Sequence, residues 1–432
     1  MNKSSPIPSA ALHAETGPRR RSVLLAAGAG AAGGLLGAPA IVRAQNNVIK
    51  VGSITTASGR AAVLGVATRR GIQMEMDRIN AAGGLDGRKL QLVERDSKGA
   101  PDVAASQVRE LIASEGCEII LDCDSSAAAF AVHEVFRSAP NVLGVHCVSE
   151  TSQLSADPKM QLPNVFRIAR QGIHDTIAGS KFAADICKQR GLTKWATVSA
   201  DYSFGRQTTP EFLQGVSTNG AKVDVVAQTW PKLSQPDYTE NITAIARAQP
   251  EVIYTTLFGG DLTAFLDQAA VFGLFEKTLV FSNFIADYTT ISVLKSVPKE
   301  IYGANRYLSE FPATPENRAW GQRFQQRFNE HPTNWTWQAA TAMSAIMQAM
   351  VAAKSASPQR LMKVLPGMEI VTPLGARQGK AILRASDRTL THYALGWGRA
   401  QAKAPYLTGI VESDWDIILR QEADWKKQKG YA

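Results

Sequence analysis

The 432-residue chain has few cysteines, scattered histidines and, beyond its first forty-five residues, no long hydrophobic run. Cysteine occurs only as Cys117, Cys123, Cys147 and Cys187. Cys117 and Cys123 are six apart, a spacing that fits none of the common zinc frameworks, so no metal is expected. The histidines are His13, His133, His146, His174, His331 and His392. They form no HExxH pair, and neither a P-loop nor a nucleophile elbow is present. No catalytic residue, cofactor or enzyme class follows from these residues. No run after residue 45 approaches membrane length. A long Lys/Arg block is also missing. The 47 Lys and Arg exceed the 38 Asp and Glu by +9. Leaving out Lys3, Arg19, Arg20, Arg21, Arg43 and Glu15 lowers the excess to +5, scattered along the chain. That balance gives no reason to expect nucleic acid as a partner.

What is present begins at the N-terminus. Arg19, Arg20 and Arg21 precede an uncharged run from Ser22 to Val42, followed by Arg43-Ala44. A positive segment, an apolar segment and a small-residue cut site make a secretory signal. The order Arg20-Arg21-Ser22-Val23-Leu24 points to the twin-arginine type. Cleavage is expected between Ala44 and Gln45, with release into the periplasm. A membrane anchor is the poorer reading, because five glycines and Pro39 interrupt the run. No cysteine lies near the cut, so no lipid anchor is expected. Gly28-Ala29-Gly30-Ala31-Ala32-Gly33 matches GxGxxG literally. No strand precedes it and no acidic residue falls between Glu15 and Glu75, so it is not a dinucleotide fingerprint.

The remainder is long enough for two ordinary domains. Its 45% hydrophobic and 20% charged content describes a globular protein. Val48–Gly52, Leu90–Val93, Ile119–Leu121 and Val142–Val145 read as strands. Between them lie helical stretches: one carrying Ile72, Met76 and Ile79, stopped by Ala82-Gly83-Gly84, then Asp102–Ser114 and Ala127–Phe136. The alternation resumes with strands Trp195–Val198, Val223–Val226, Val252–Thr255 and Leu279–Phe281. Helices are read from Glu211 and over Leu262–Val271. Two such sets imply two α/β lobes with parallel sheets. Pro315–Phe328 and Trp335–Ala353 read as long helices. Gly379 to Tyr393 reads as strands around a turn. The charged tail from Glu412 to Lys429 reads as a capping helix docked by Trp415 and Trp425.

The stretch Gly71-Ile72-Gln73-Met74-Glu75-Met76-Asp77-Arg78-Ile79-Asn80-Ala81-Ala82-Gly83-Gly84-Leu85-Asp86-Gly87-Arg88-Lys89-Leu90 resembles one family. So do Glu94-Arg95-Asp96, Asp124-Ser125-Ser126, Asp201-Tyr202-Ser203-Phe204-Gly205 and Ile382-Leu383-Arg384-Ala385-Ser386-Asp387. The resemblance is to the leucine/isoleucine/valine-binding group of ABC-importer substrate-binding proteins, the type I periplasmic binding proteins. It implies two doubly wound, Rossmann-like α/β lobes joined by three crossings. Residues 47–168 and 307–372 would form one lobe, and 169–306 with 373–432 the other. The implied partners are a small-molecule ligand, an amino acid or related organic acid or amide, and the permease of an ABC transporter. A monomer is expected.

Ligands of open α/β sheets bind beyond the carboxyl ends of the strands. Ser125 and Ser126 offer hydroxyls and amides at a helix start, a carboxylate site; the alternative is that they only cap the helix. By resemblance the pocket also takes Leu64, Val148, Ser149, Glu150, Tyr202 and Phe204. Glu150 stands where family members place threonine. Turned inward it favours an amine or hydroxyl; turned outward it is a solvated loop carboxylate. Asp261 and Asn283 follow strands of the second lobe. Amino-acid binders carry an acid near Asn283, so Asn283 departs from the pattern, and Asp261 either replaces that acid or caps a helix. The family disulfide lacks one partner here. A bridge between Cys123 and Cys147 and two free thiols are both open. Alternatives to import are a ligand-sensing module for a signalling receptor and, less favoured, an exported α/β enzyme.

Overall fold

The computed structural model describes residues 48–59, 61–375 and 381–432. The export segment, its cut site and Gly379-Lys380 lie outside them. The first sheet is all parallel, built from β1 (Val48–Thr55), β2 (Lys89–Asp96), β3 (Ile119–Cys123), β4 (Leu143–His146) and β5 (Val165–Arg167) in the order β2-β1-β3-β4-β5. The second starts from β6 (Lys194–Val198), β7 (Asp224–Thr229), β8 (Val252–Thr255), β9 (Leu279–Ser282) and β10 (Ile301–Ala304). A small antiparallel sheet follows, with β11 (Glu369–Ile370), β12 (Ala381–Leu383) and β13 (Leu390–Thr391). The last strands, β14 (Gly396–Ala400) and β15 (Leu407–Glu412), rejoin the second sheet, giving β15-β14-β10-β9-β8-β6-β7. β14 pairs antiparallel with β10 and β15 antiparallel with β14, which departs from the all-parallel expectation.

Helices α1 (Ala62–Ala81), α2 (Pro101–Ala113) and α3 (Ser126–Ser138) alternate with the first strands. Helices α4 (Gly172–Arg190), α5 (Ser203–Thr218), α6 (Thr239–Ala248) and α7 (Gly259–Val271) alternate with the second set. Then come α8 (Pro315–Phe328), α9 (Asn334–Ala353) and the terminal α10 (Trp415–Lys429). Cover on both faces explains why β3, β4 and β8 are buried at every residue. The two-lobed α/β class therefore holds. None of the described helices is long and apolar enough to cross a membrane.

Three of the named helices differ from the sequence reading; α6, with its buried Ile242 and Ile245, is absent from it. α5 begins eight residues before Glu211 and runs through Pro210. Proline weakens a helix locally, but Phe204, Phe212 and Val216 pack one buried face along the whole length. α4 went unread because it buries polar residues, His174, Asp175, Thr176 and Ser180, beside Ile173 and Ile177. The tail helix is docked as its tryptophans imply. Trp425 Nε1 donates to Glu211 Oε1 at 3.0 Å and Trp415 Nε1 to the Tyr393 carbonyl at 2.9 Å. Cys123 and Cys147 form no bridge. All four cysteines are free and buried, and Cys147 Sγ turns to the Val145 carbonyl at 3.4 Å.

α1 and α9 are in close contact because Gly71 has no side chain. A Cβ there would lie 2.2 Å from the Thr336 carbonyl oxygen. Leu64 of α1 and Trp335 of α9 belong to the same apolar core.

Beneath the ends of β3 and β4 lies a buried polar chain. His133 Nε2 is 2.7 Å from the Met160 carbonyl oxygen, an acceptor only, so Nε2 carries the hydrogen. Nδ1 of the neutral ring then accepts from His146 Nε2 at 3.0 Å. His146 Nδ1 is left bare, 2.6 Å from Asp122 Oδ2. Two lone pairs that close repel, so the chain holds one further proton, on Asp122 when every member is neutral. Burial acts in the same direction, raising Asp122 to about 8 and lowering both histidines to about 3. Arg167, the nearby buried cation, opposes the rise of Asp122 and adds to the fall of His146.

Two outcomes are expected. Gly71→Ala should cost about 1–3 kcal/mol by overpacking, read as a lower denaturation midpoint with unchanged m-value. The buried chain should give a stability maximum near pH 6.5. Unfolded aspartate titrates near about 3.9 and histidine near about 6.5. Between about pH 4 and 6.5 the unfolded chain holds more protons on these three groups, so stability rises with pH. From about 6.5 to 8 the folded chain holds more, and stability falls by at most ~1.4 kcal/mol per pH unit. Asp122→Asn supplies an N–H where the carboxylic O–H stood and should flatten that alkaline limb. Denaturation at pH 6.5, 7.2 and 8 checks this; an unchanged slope would put the proton elsewhere.

Candidate ligand-binding site

The carboxyl ends of β3 and β4 face those of β6, β8 and β9 across a small cavity of about 30 Å³, room for about two waters. Its walls are Leu64, Ser125, Ser126, Val148, Ser149, Glu150, Tyr202, Phe204, Phe258, Phe284 and Trp335. Eight of these were singled out from sequence: Leu64, Ser125, Ser126, Val148, Ser149, Glu150, Tyr202 and Phe204. The structure brings all eight together.

The first sheet supplies the polar side. Ser125 is the N-cap of α3, its Oγ accepting from the Ala128 amide at 3.5 Å. The amides of Ser126 and Ala127 precede the first full helical turn and have no intrahelical partner. Ser126 Oγ accepts from the Thr151 amide at 3.2 Å and from Ser149 Oγ at 3.3 Å, bracing the loop after β4. Behind the turn, Asp124 Oδ1 accepts from the Ser125 amide at 2.6 Å and Thr56 Oγ1 at 2.9 Å. Burial raises the Asp124 carboxyl above the ordinary carboxylate range.

The facing side is aromatic. Tyr202 and Phe204 open α5, Phe258 precedes α7, Phe284 follows β9 and Trp335 stands in the first turn of α9. Phe284 lies 5.9 Å from Phe204 and 5.7 Å from Phe258, and Phe258 lies 6.0 Å from Trp335, centroid to centroid, all at tilted or edge-on angles. These are the distances at which ring quadrupoles attract.

Glu150 is not a solvated loop carboxylate. It is buried, and Oε1 accepts from Arg306 Nη2 and from Asn334 Nδ2, the latter at 3.3 Å. Arg306 also donates to Asp175 Oδ2 at 3.0 Å, and Asp175 accepts from Arg170 at 2.5 and 3.2 Å. Two carboxylates and two guanidiniums thus form one buried, charge-balanced group. Desolvation pushes Glu150 upward while Arg306 pulls it back. The Arg306 guanidinium also lies over Phe284, 4.1 Å from its centroid. Next to this group, the Gly172 amide donates to the Glu150 carbonyl at 2.7 Å. A Cβ at Gly172 would fall 2.9 Å from that oxygen. Thr151 Oγ1 donates to Gln207 Oε1 at 2.6 Å, a further bond from the β4 loop to α5.

Asp261 and Asn283 do not line the cavity. Asn283 is fully buried behind its neighbour Phe284, and its Oδ1 accepts from Tyr254 Oη at 2.7 Å. Asp261 lies in the first turn of α7, with Oδ2 accepting from the Ser234 amide at 2.8 Å. The walls in these loops are instead Phe284, next to Asn283, and Phe258, three residues before Asp261, and the sequence reading singled out neither. Trp335 gave no signal beyond its place at a helix start. No group of three or more metal-ligating side chains occurs among the described residues.

The periplasmic binding protein family matches residues 48–395. A curated relative, Leu/Ile/Val-binding protein homolog 4 of Brucella abortus, is 26% identical over 245 residues, 53% of this chain and 55% of that protein. The match thus spans about half the length of that relative. A solute-binding protein of an ABC transporter from Rhodopseudomonas palustris BisB5, solved with 3,4-dihydroxy benzoic acid, superposes with TM-score 0.74 at 18% identity over 85% of this chain and 96% of the other. The Brucella ovis protein that binds leucine, isoleucine, valine, threonine and alanine, in its closed conformation, gives TM-score 0.70 at 19% identity over 85% and 94%. These two likenesses carry the fold. With the family match running from β1 to the residue before β14, the chain belongs to the periplasmic binding protein family.

Proposed function

We propose that this receptor captures a small carboxylate borne on an aromatic ring and hands it to the permease of an ABC importer. The observation that carries the reading is the pairing of five aromatic walls with the Ser125-Ser126 helix start. Backbone amides and the positive end of α3 suit a carboxylate. Phe204, Phe258, Phe284, Trp335 and Tyr202 suit a planar ring, whose burial contributes roughly 1.5–3 kcal/mol. The residues that would hold an α-ammonium in the second lobe, Asn283 and Asp261, are turned to Tyr254 and Ser234. That disfavours aliphatic amino acids, which the B. ovis protein is named for, and favours the acid class solved with the R. palustris protein.

The cavity as it stands is too small for a ring, so the ligand enters with the walls apart and the lobes close on it by hinge motion. The lobes in this proposal are residues 47–168 with 307–372 and 169–306 with 373–432. Export follows the twin-arginine-type signal, and the mature protein acts as a monomer. A sensory role uses the same fold; neighbouring permease and ATPase genes would separate import from sensing.

The test is a thermal-shift screen of the mature protein against aromatic acids, amino acids, amides and polyols. A ligand at about 100 times its Kd stabilises by ~2.7 kcal/mol. Aromatic acids should lead the ranking; stabilisation by leucine with none by any aromatic acid overturns the proposal. Ser125→Ala with Ser126→Ala should weaken the best acid more than tenfold by calorimetry. Ser125→Ala alone separates the carboxylate contact from the bracing role of Ser126.

A further inference from the structure

Glu150 is only half used by the protein. Oε1 takes the Arg306 and Asn334 donors. Oε2 is buried and has no hydrogen-bond partner, although Glu150 is a cavity wall. Asn334, next to the wall residue Trp335, adds a second buried acceptor without a partner, Oδ1. Buried acceptors of this kind are costly unless a donor reaches them. Buried donors without a partner, Arg306 Nε, Gln171 Nε2 and Gln338 Nε2 among them, belong to residues outside the cavity walls. The open position therefore calls for a donor that arrives with the ligand. A ligand carboxylate cannot fill it, because two carboxylates would face each other. It can bind at the Ser125-Ser126 side instead.

Deepening the reading above, on which it rests, we infer that Glu150 selects aromatic acids bearing a second polar group, a hydroxyl or an amine, that donates to Oε2. Benzoate without such a group leaves the acceptor unmet. A hydroxybenzoate, an aminobenzoate or an aromatic amino acid meets it, and the position of the donor on the ligand decides which fits.

Arg306 and Asn334 also make the substitution informative. In Glu150→Gln both neighbours still donate, so the amide oxygen stays on their side. The amide nitrogen then occupies the Oε2 position, and an acceptor becomes a donor.

The experiment measures Kd by calorimetry for benzoate, its three monohydroxy and three monoamino isomers, and L-phenylalanine. In the wild type the best donor-bearing ligand should bind at least tenfold tighter than benzoate. Hydroxyl, ring-amine and α-ammonium sources are separated by which arm leads. In Glu150→Gln the preference ratio should fall at least tenfold, toward or past unity. Ligand-free thermal unfolding checks that the variant is folded; if it is not, the wild-type ratios alone decide. Benzoate binding as tightly as every donor-bearing analogue overturns the inference, as does an unchanged ratio in folded Glu150→Gln, while the aromatic-acid reading survives both. Absence of binding by all of these acids removes that reading and this inference with it.

Discussion

The site depends on the buried group of Glu150, Arg306, Asp175 and Arg170. Each charge removed from water costs several kcal/mol unless it is paired and hydrogen-bonded. Here the charges pair only when three separate segments meet: the loop after β4, the start of α4 with the residues just before it, and the chain leaving β10. Arg306 is the common member, donating to Glu150 and to Asp175. Its stacking on Phe284 ties the aromatic wall to the same point. Asn334 extends the group to α9, since its side chain donates to Glu150 and its amide to Asp287 at 3.2 Å. The ends of α4 and α9, the β4 loop and Phe284 are held together by this group when the walls lie as they do here.

Much of this was legible in the chain for a physical reason. Parallel strands send their connecting loops to one edge, so residues just after apolar runs converge without any long-range information. Ser125, Ser126, Val148, Ser149, Glu150, Tyr202 and Phe204 all follow strands and all reach the cavity. The same rule named the right loops for Asp261 and Asn283 but the wrong residues in them. Which residue of a loop faces inward depends on the turn and on partners distant in sequence, Ser234 for Asp261 and Tyr254 for Asn283. The Glu150–Arg306 pair joins residues 156 apart. Trp335 reaches the cavity only because Gly71 lets α9 lie against α1. Neither fact has a local signature.

The histidines show the complementary limit. Scattered along the chain, they carry no motif, yet the structure buries His133 and His146 fully and sets their rings 3.0 Å apart, nitrogen to nitrogen. What the spacing does not reveal is that parallel pairing sets His146 opposite Asp122, and that His133 closes the chain onto Met160. A group that reads as inert thus sets a proton requirement. It does so two residues below Asp124 and Val148, where the loops that line the cavity begin.

The cavity's size bears on how affinity and closure are related. Its polar donors come from α3 and the β4 loop, and Tyr202, Phe204, Phe258 and Phe284 come from the facing sheet. On the proposed reading, the ligand's carboxylate would reach the α3 amides with the walls apart, while its ring would still have water on one face. The apolar contribution is complete only when Phe258 and Phe284 cover that face. Ring burial is then available to the closed arrangement and not to the open one, so it favours closure by the same amount that it adds to binding. A ligand that meets the α3 amides but lacks the ring binds without that differential, and by this argument it occupies the receptor without holding it shut.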